Sequence, residues 1–237
     1  MLDSKLVSWA SYDAILFDLD GVITPTAELH RQAWGELFAS YAYTDTDYLN
    51  HIDGKPRYDG VASFLASRGI ELPWGDVEDL PGSDTVCAMG NAKNTVFNQI
   101  LQRQPILAYP GTIEVMDLLD SHRIPQAVVS SSKNAAAVLA SAGLTHRFKV
   151  IVDGTTAERD GLPGKPDPAM FVQAANQFNV KPSNCLVVED ASSGVQAGVA
   201  GGFFVVGVDR GGNESALAQA GADVVVQDLI ETLERAC

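Results

Sequence analysis

DAILFDLDGVIT, residues 13–24, joins an apolar strand-like half to a polar half. Residues 14–17 form an unbroken apolar run, which is typical of a central parallel strand covered on both faces. Asp18 and Asp20 follow, and because strand side chains alternate, residues two apart point to the same side. Gly21 then allows the backbone to turn. Since ligands of open α/β sheets bind at the carboxyl ends of strands, this stretch predicts a functional site.

Strand-like and helical patterns alternate through the second half of the chain. Short runs rich in β-branched residues occupy 126–130, 148–152, 185–188, 203–208 and 224–226, and helical patterns occupy 113–119, 135–142, 168–178 and 194–200. This alternation predicts an α/β fold with a Rossmann-like, doubly wound parallel sheet. From Ala27 to Gln104 the patterns are helical, with no strong strand candidate. We therefore predict a discontinuous core domain, residues 1–26 and 107–237, with a helical domain inserted at 27–106.

The composition and net charge exclude some classes of binding partner. The chain has 237 residues, of which 46% are hydrophobic and 19% charged, as in globular proteins, and its formal net charge is −14. Binding to nucleic acids or anionic membranes needs clustered Lys and Arg, so neither partner is expected. Three scattered cysteines predict reduced thiols rather than a disulfide framework. With neither a membrane-length apolar run nor a signal-peptide pattern, we expect a cytoplasmic protein, and we expect it to be a monomer.

Polar residues follow four core segments in turn. Asp18 and Asp20 end the first; Ser130 ends the second and is followed by Ser131, Ser132, Lys133 and Asn134; Lys165 lies in Gly164-Lys165-Pro166 after the third; and Glu189 and Asp190 end the fourth. Each has a simpler explanation when taken alone. The first and third motifs fit solvated turns, and the last fits a helix N-cap. Their order and position favour a shared site.

These four motifs, taken together, resemble the successive motifs of the haloacid dehalogenase superfamily. The resemblance implies that Asp18 is a nucleophile that accepts a phosphoryl group, that Asp20 is a general acid and base, and that Ser130 and Lys165 stabilise the transferring group. It also implies a magnesium ion held by the carboxylates of Asp18, Glu189 and Asp190 and the backbone carbonyl of Asp20. Mg²⁺ suits such a site because it prefers oxygen ligands and offsets the repulsion between carboxylates and phosphate.

The inserted segment resembles the cap of the β-phosphoglucomutase family. The matching stretches are residues 26–34, the loop Gly54-Lys55-Pro56-Arg57-Tyr58-Asp59, the pair Lys93-Asn94 and the run 132–134. The resemblance implies that Arg57 holds the non-transferring phosphate of a bisphosphate. The substrate-binding residues it implies are Thr26, His30, Gly54, Arg57, Lys93, Ser131, Ser132, Lys133 and Asn134. This sequence departs from the family pattern at Pro25, where family members often have an acidic residue. Because proline fixes the backbone, we expect an altered entry to the cap.

Several of these residues have structural alternatives. Arg57 could instead form a surface ion pair with Asp53 or Asp59, and Lys93 could be a solvated helix residue. His30 and Trp34 lie four apart on one helical face, so both could serve packing.

The function expected from the resemblance is phosphoryl transfer on a small sugar phosphate and bisphosphate. The preferred form is a mutase that interconverts β-glucose 1-phosphate and glucose 6-phosphate. A phosphatase of the same fold, in which water resolves the aspartyl phosphate, is the alternative enzyme. A catalytically inert sugar-phosphate-binding protein is a more remote alternative, because the complete set of catalytic residue types is present.

Overall fold

The computed structural model describes residues 5–52, 55–104 and 106–233. The chain divides into two compact units. The core unit comprises Met1–Pro25 and Ile106–Cys237, and the helical unit comprises Thr26–Pro105. Each unit has its own buried apolar cluster.

The core unit contains a six-stranded sheet in the order β3-β2-β1-β4-β5-β6, in which every pairing is parallel. The strands are β1 (Ala14–Phe17), β2 (Gln126–Val129), β3 (Val150–Val152), β4 (Cys185–Glu189), β5 (Phe204–Val208) and β6 (Val224–Val226). β1 lies near the centre, and all four of its residues are buried, as their unbroken apolar pattern predicts. Helices flank the strands, which confirms the predicted Rossmann-like α/β fold.

Helices connect the strands and also make up the regular structure of the described part of the helical unit. In chain order they are α1 (Thr26–Leu37), α2 (Asp45–Asp47), α3 (Arg57–Ser67), α4 (Val86–Arg103), α5 (Pro110–His122), α6 (Ala135–Ser141), α7 (Gly154–Asp160), α8 (Ala169–Gln177), α9 (Ser192–Ala200) and α10 (Glu214–Ala220). Short 3₁₀ turns occupy Trp9–Ser11, Ala39–Tyr41, Thr145–Arg147, Pro182–Asn184 and Leu229–Thr232, and Tyr48–Ile52 is a π-helical turn. Residues 26–52 and 55–104 contain no strand.

The sequence patterns did not reveal α7 or α10. Neither helix has an apolar stripe: α7 buries no residue fully and α10 buries only Leu217. Their ends carry local signals instead. The Asp153 side chain accepts a hydrogen bond from the N–H of Thr156 and caps α7, while Gly161 and Gly221 end the two helices in the left-handed conformation.

Aromatic packing organises the helical unit. Trp34 stacks on Phe38 with ring centres 5.5 Å apart, and Phe38 lies 4.0 Å from the Phe64 ring. All three side chains are buried, which supports the packing role considered for Trp34. No helix among the described residues is both long and apolar enough to cross a membrane. Cys87 and Cys185 are buried free thiols, and the third cysteine, Cys237, lies outside the described residues.

Candidate active site at the carboxyl end of the sheet

The register of the sheet brings the first and fourth acidic motifs together. Phe17 of β1 pairs with Val188 of β4, and the N–H of Asp18 donates to the Val188 carbonyl at 2.9 Å. Asp18 and Glu189 are therefore neighbours at the ends of adjacent parallel strands. Both are buried, with exposed fractions of 7% and 1%.

Lys165 lies between these two carboxylates. Its Nζ is 2.5 Å from Asp18 Oδ1 and 2.5 Å from Glu189 Oε1, and it also donates to the Val129 carbonyl at 3.0 Å. Burial acts to lower the pKa of Lys165, but the two carboxylates raise it above its usual value. The ammonium group is thus held charged at the tip of β1. Its loop comes after β3, as the sequence predicts, with helix α7 between the strand and the loop.

Asp190 completes a cluster of three acids. Ligand oxygens of Asp18, Glu189 and Asp190 all lie within 4.8 Å of one another. Burial raises the pKa of Asp190 well above its usual range, and the charges of Asp18 and Glu189 raise it further. Burial likewise raises the pKa of Glu189 to about 7, although Lys165 opposes the shift. Three acids beside one ammonium group therefore repel one another when ionised, and a cation would favour their ionised forms.

Backbone and glycine positions fix the Glu189 side chain. Glu189 Oε2 accepts from the N–H groups of Asp190 and Ala191 at 3.1 and 3.2 Å. Its carboxylate also packs against Gly194 in the first turn of α9, where a Cβ would lie 1.8 Å from Oε1. The site therefore requires glycine at residue 194, which the sequence alone did not indicate.

The loop after β2 is organised by its own hydroxyl groups. Ser130 is buried, and its Oγ accepts from the N–H of Ser132 at 3.1 Å, while Ser132 Oγ accepts from the N–H of Asn134 at 3.1 Å. Ser131 is exposed. Lys133 forms an ion pair with Glu158 of α7 at 2.8 Å. The loop thus presents Ser130 at the end of the strand that neighbours β1.

The helical unit contains a group of basic residues around Lys93. Lys93 is buried, which excludes the solvated alternative, and its Nζ lies 2.5 Å from His30 Nδ1. The His30 ring stacks on Phe97 with centres 4.3 Å apart. Burial lowers the pKa of His30 well below its usual value, and the charges of Lys93 and Arg57 lower it further.

Arg57 begins α3, and its Nη2 donates to Asn94 Oδ1 at 3.0 Å. Within the described part of the chain it forms no ion pair with Asp59 or another carboxylate. Burial lowers the pKa of its guanidinium. Thr26 is buried at the first position of α1. Gly54, also predicted to bind substrate, and Asp53, the other possible partner of Arg57, lie outside the described residues.

Asp20 and Gly21 form the turn beyond β1. The N–H of Gly21 donates to the Thr24 carbonyl at 2.8 Å, and Gly21 has a φ of +84°, as its turn role requires. Two residues that the motifs did not single out contact this region. Arg210 Nε donates to the Gly21 carbonyl at 2.7 Å, and Asn213 Nδ2 donates to the Asp190 carbonyl at 2.9 Å. Their position after a core strand, at the same sheet edge as the acids, was the available signal.

The chain is similar in sequence to known phosphate-transferring enzymes. The sequence model of the haloacid dehalogenase-like hydrolase family matches residues 12–202. A β-phosphoglucomutase from Mycobacterium bovis is 41% identical over 238 aligned residues, covering 93% of this chain and 91% of the relative. A validoxylamine A 7'-phosphate phosphatase from Streptomyces hygroscopicus is 29% identical, covering 93% and 95%.

Solved structures share the fold. The crystal structure of a β-phosphoglucomutase from Clostridium difficile superposes with a TM-score of 0.74 at 29% identity, covering 93% of this chain and 92% of that one. The range matched by the family model, residues 12–202, spans the four acidic residues, Ser130 and Lys165. With its parallel sheet and the acidic cluster at the end of β1, the chain belongs to the haloacid dehalogenase-like hydrolase family.

Proposed function

We propose that the protein transfers a phosphoryl group on a sugar phosphate through Asp18, as a mutase of the β-phosphoglucomutase type. The main support for this proposal is the position of buried Lys165, whose Nζ lies 2.5 Å from Asp18 Oδ1 and 2.5 Å from Glu189 Oε1. A buried lysine between two carboxylates holds them in place and offers a positive charge to a phosphoryl oxygen. The 41% identity to a β-phosphoglucomutase over most of both chains supports the choice of mutase.

A divalent cation fits the acidic cluster. The oxygens of Asp18, Glu189 and Asp190 are close enough to share one ion, and their charge exceeds that of Lys165. All three donors are carboxylates, the ligands that Mg²⁺ prefers. We propose that these carboxylates and the Asp20 carbonyl hold Mg²⁺. When bound, the ion supplies the positive charge that lets an anionic phosphate approach the acids.

Each of the four side chains at the site has its own role in the proposed reaction. A carboxylate oxygen of Asp18 attacks phosphorus, the bond from phosphorus to the sugar oxygen breaks, and Asp20 gives its proton to that oxygen. In the reverse sense, Asp20 removes the proton from a sugar hydroxyl, which attacks the aspartyl phosphate. Lys165 and Ser130 hold the phosphoryl oxygens while the charge is redistributed.

A mutase must also hold the phosphate that does not react. We propose that the helical unit acts as a cap and that Arg57, with its guanidinium oriented by Asn94, binds this distal phosphate as a bidentate clamp. Thr26, His30, Gly54 and Lys93, together with Ser131, Ser132, Lys133 and Asn134, complete the proposed substrate contacts. A phosphatase acting on a monophosphate has less need of such a second site.

A phosphatase remains the second candidate, because the relatives include a validoxylamine A 7'-phosphate phosphatase that is matched over 95% of its length. The two activities differ in whether a sugar hydroxyl or water receives the phosphoryl group from Asp18. An inert binding protein would be expected to lack part of the catalytic set, yet Asp18, Asp20 and Lys165 are all present.

One assay separates the candidates. Purified protein is incubated with β-glucose 1-phosphate, MgCl₂ and a trace of glucose 1,6-bisphosphate, and glucose 6-phosphate and inorganic phosphate are both measured. Formation of glucose 6-phosphate without matching release of phosphate is expected of the mutase. Net release of phosphate would instead identify the hydrolase, and neither product would reject both enzymes for this sugar.

A further inference from the structure

The loop after β5, residues 209–213, has a conformation fixed by its first residue. Asp209 Oδ1 accepts hydrogen bonds from the N–H groups of Gly211, Gly212 and Asn213 at 3.1, 2.6 and 2.8 Å. These bonds hold the pKa of the Asp209 carboxyl below its usual value. The loop is thus a firm base for the side chains it carries, Arg210 and Asn213.

Arg210 is held on several sides. Its guanidinium carbon lies 3.6 Å from the centre of the Tyr109 ring, and Nη1 donates to the Gln227 carbonyl at 3.0 Å. Asp228 Oδ2 lies 3.6 Å from the same Nη1. The remaining contact is the 2.7 Å bond from Nε to the Gly21 carbonyl. A planar guanidinium that stacks on a ring and donates from both Nε and Nη1 has little freedom, so it fixes the position of the Gly21 carbonyl.

This bond acts on the turn that follows the catalytic motif. The peptide between Asp20 and Gly21 is planar, and its N–H donates to the Thr24 carbonyl at 2.8 Å. Arg210 holds the next peptide plane through its carbonyl. Between the two planes lies Gly21, whose left-handed φ of +84° and lack of a side chain make it the most adaptable residue of the turn. Both planes must be held for the Asp20 carbonyl to keep one direction.

The same loop also contacts the second acid-bearing strand end. Asn213 Nδ2 donates to the Asp190 carbonyl at 2.9 Å. The 209–213 loop therefore joins the turn after β1 to the segment after β4. It approaches the acids from the β5 side of the sheet, whereas Lys165 bonds to Val129 of β2, on the other side of β1. Arg210 and Asn213 reach these two segments only at the backbone carbonyls of Gly21 and Asp190, so these bonds leave the carboxylates of the cluster available.

We propose that Arg210 is a positioning residue that fixes the Asp20–Gly21 turn and thereby sets the affinity of the acidic cluster for a divalent cation. Asn213 assists through the backbone of Asp190. The proposal rests on the cation site proposed above. Residues that orient metal ligands typically change metal affinity by about 10- to 100-fold when they are removed.

The test measures Mn²⁺ binding by the electron paramagnetic resonance signal of the free ion, with Mg²⁺ as competitor and no substrate present. Arg210→Met is compared with Arg147→Met. Arg147 is a suitable control because its side chain is equally exposed, 18% in each case, and it pairs with Asp117 and Asp120, away from the acidic cluster. We expect Arg210→Met to weaken Mn²⁺ binding about 10-fold or more, and Arg147→Met to leave it within about twofold of the wild type.

Two milder variants keep the test decisive if Arg210→Met does not unfold cooperatively. Arg210→Lys keeps the charge but loses the fork and the stacking, and Asn213→Ala removes one bond to Asp190; each is expected to weaken Mn²⁺ binding about threefold or more. Folded Arg210 and Asn213 variants with wild-type affinity would overturn the proposal. A wild-type protein that binds no Mn²⁺ would reject the cation site itself, and this proposal with it. Strong wild-type binding with unchanged variants would reject the role of Arg210 alone.

Discussion

Gly21 faces the carboxylate of Asp190 so closely that a Cβ at residue 21 would lie 1.9 Å from Asp190 Oδ2. The two residues follow different strands, β1 and β4, which are neighbours in the sheet. Position 21 therefore requires glycine for two reasons: its backbone conformation favours glycine, and a side chain there would clash with the Asp190 carboxylate.

Gly21→Ala should separate these requirements when it is compared with Gly143→Ala. Gly143 also has a left-handed φ, +71°, but a Cβ there would meet no atom within 4 Å. Backbone strain alone should cost Gly143→Ala about 1–2 kcal/mol of unfolding free energy. Gly21→Ala should lose more stability and also weaken Mn²⁺ binding, because the methyl group displaces Asp190. Urea unfolding and Mn²⁺ titration measure the two effects. Equal losses of stability in the two variants, with unchanged Mn²⁺ affinity, would contradict the prediction and show that the Asp190 side chain can move away from residue 21.

Asp18→Asn tests the proposed nucleophile. The amide keeps the shape of the side chain but is a poor nucleophile, so turnover of β-glucose 1-phosphate should fall by at least about 10³-fold, as expected for loss of a covalent route. Incubation with radiolabelled glucose 1,6-bisphosphate should label the wild-type protein but not the variant. The control is Asp117→Asn, an exposed acid paired with Arg147. Undiminished turnover by Asp18→Asn would reject the assignment.

Lys165→Met should destabilise the protein most when no divalent cation is present. The substitution leaves buried Asp18 and Glu189 without their ammonium partner, and breaking such a buried pair costs about 3–5 kcal/mol. MgCl₂ should recover part of this loss, because the ion also offsets the carboxylates. Lys133→Met removes the exposed pair with Glu158 and should cost about 0–1 kcal/mol. Similar losses in the two variants, measured by urea unfolding, would contradict the proposed role of Lys165.

The sequence allowed prediction of the features that depend on local pattern. The apolar run of β1 and the acids that end it could be predicted because strand burial and side-chain alternation are visible in consecutive residues. Helix α7 escaped prediction because it has no buried stripe. The distance from Lys165 to Asp18 depends on how the segment after β3 returns to the sheet, which no local pattern specifies.

The position of Arg210 after a core strand is visible in the sequence, but the contacts that Arg210 and Gly194 make are not, for a related reason. Arg210 meets Gly21 across 189 positions of the chain, and Gly194 matters because of the Glu189 side chain that lies against it. Such requirements arise from tertiary packing rather than from residue type. Arginine in a glycine-rich loop is equally compatible with a solvated turn.

Arg57→Lys should distinguish a distal phosphate clamp from a structural arginine. Lysine retains the charge but cannot form a bidentate contact, so the KM for β-glucose 1-phosphate should rise about 10-fold. Hydrolysis of acetyl phosphate, which has no distal phosphate, should change little. Arg68→Lys, which alters an ion pair with Asp47 in the same unit, is the control. Equal effects of Arg57→Lys on both substrates would contradict the clamp.

The buried His30 should make the protein less stable in acid. Burial, followed by the charges of Lys93 and Arg57, holds the pKa of the folded-state imidazole well below 6.5. As the pH falls through about 6.5, the unfolded chain takes up a proton at this residue and the folded protein does not, so stability falls, by up to about 1.4 kcal/mol per pH unit. His30→Phe keeps a ring against Phe97 but cannot titrate, and should therefore lose less stability between pH 7.5 and 5.5 than the wild type.

The control is His146→Gln, at an exposed position, which should keep the pH dependence of the wild-type stability. Urea unfolding at each pH measures these changes, and an identical pH dependence in His30→Phe and the wild type would show that His30 already binds a proton in the folded state.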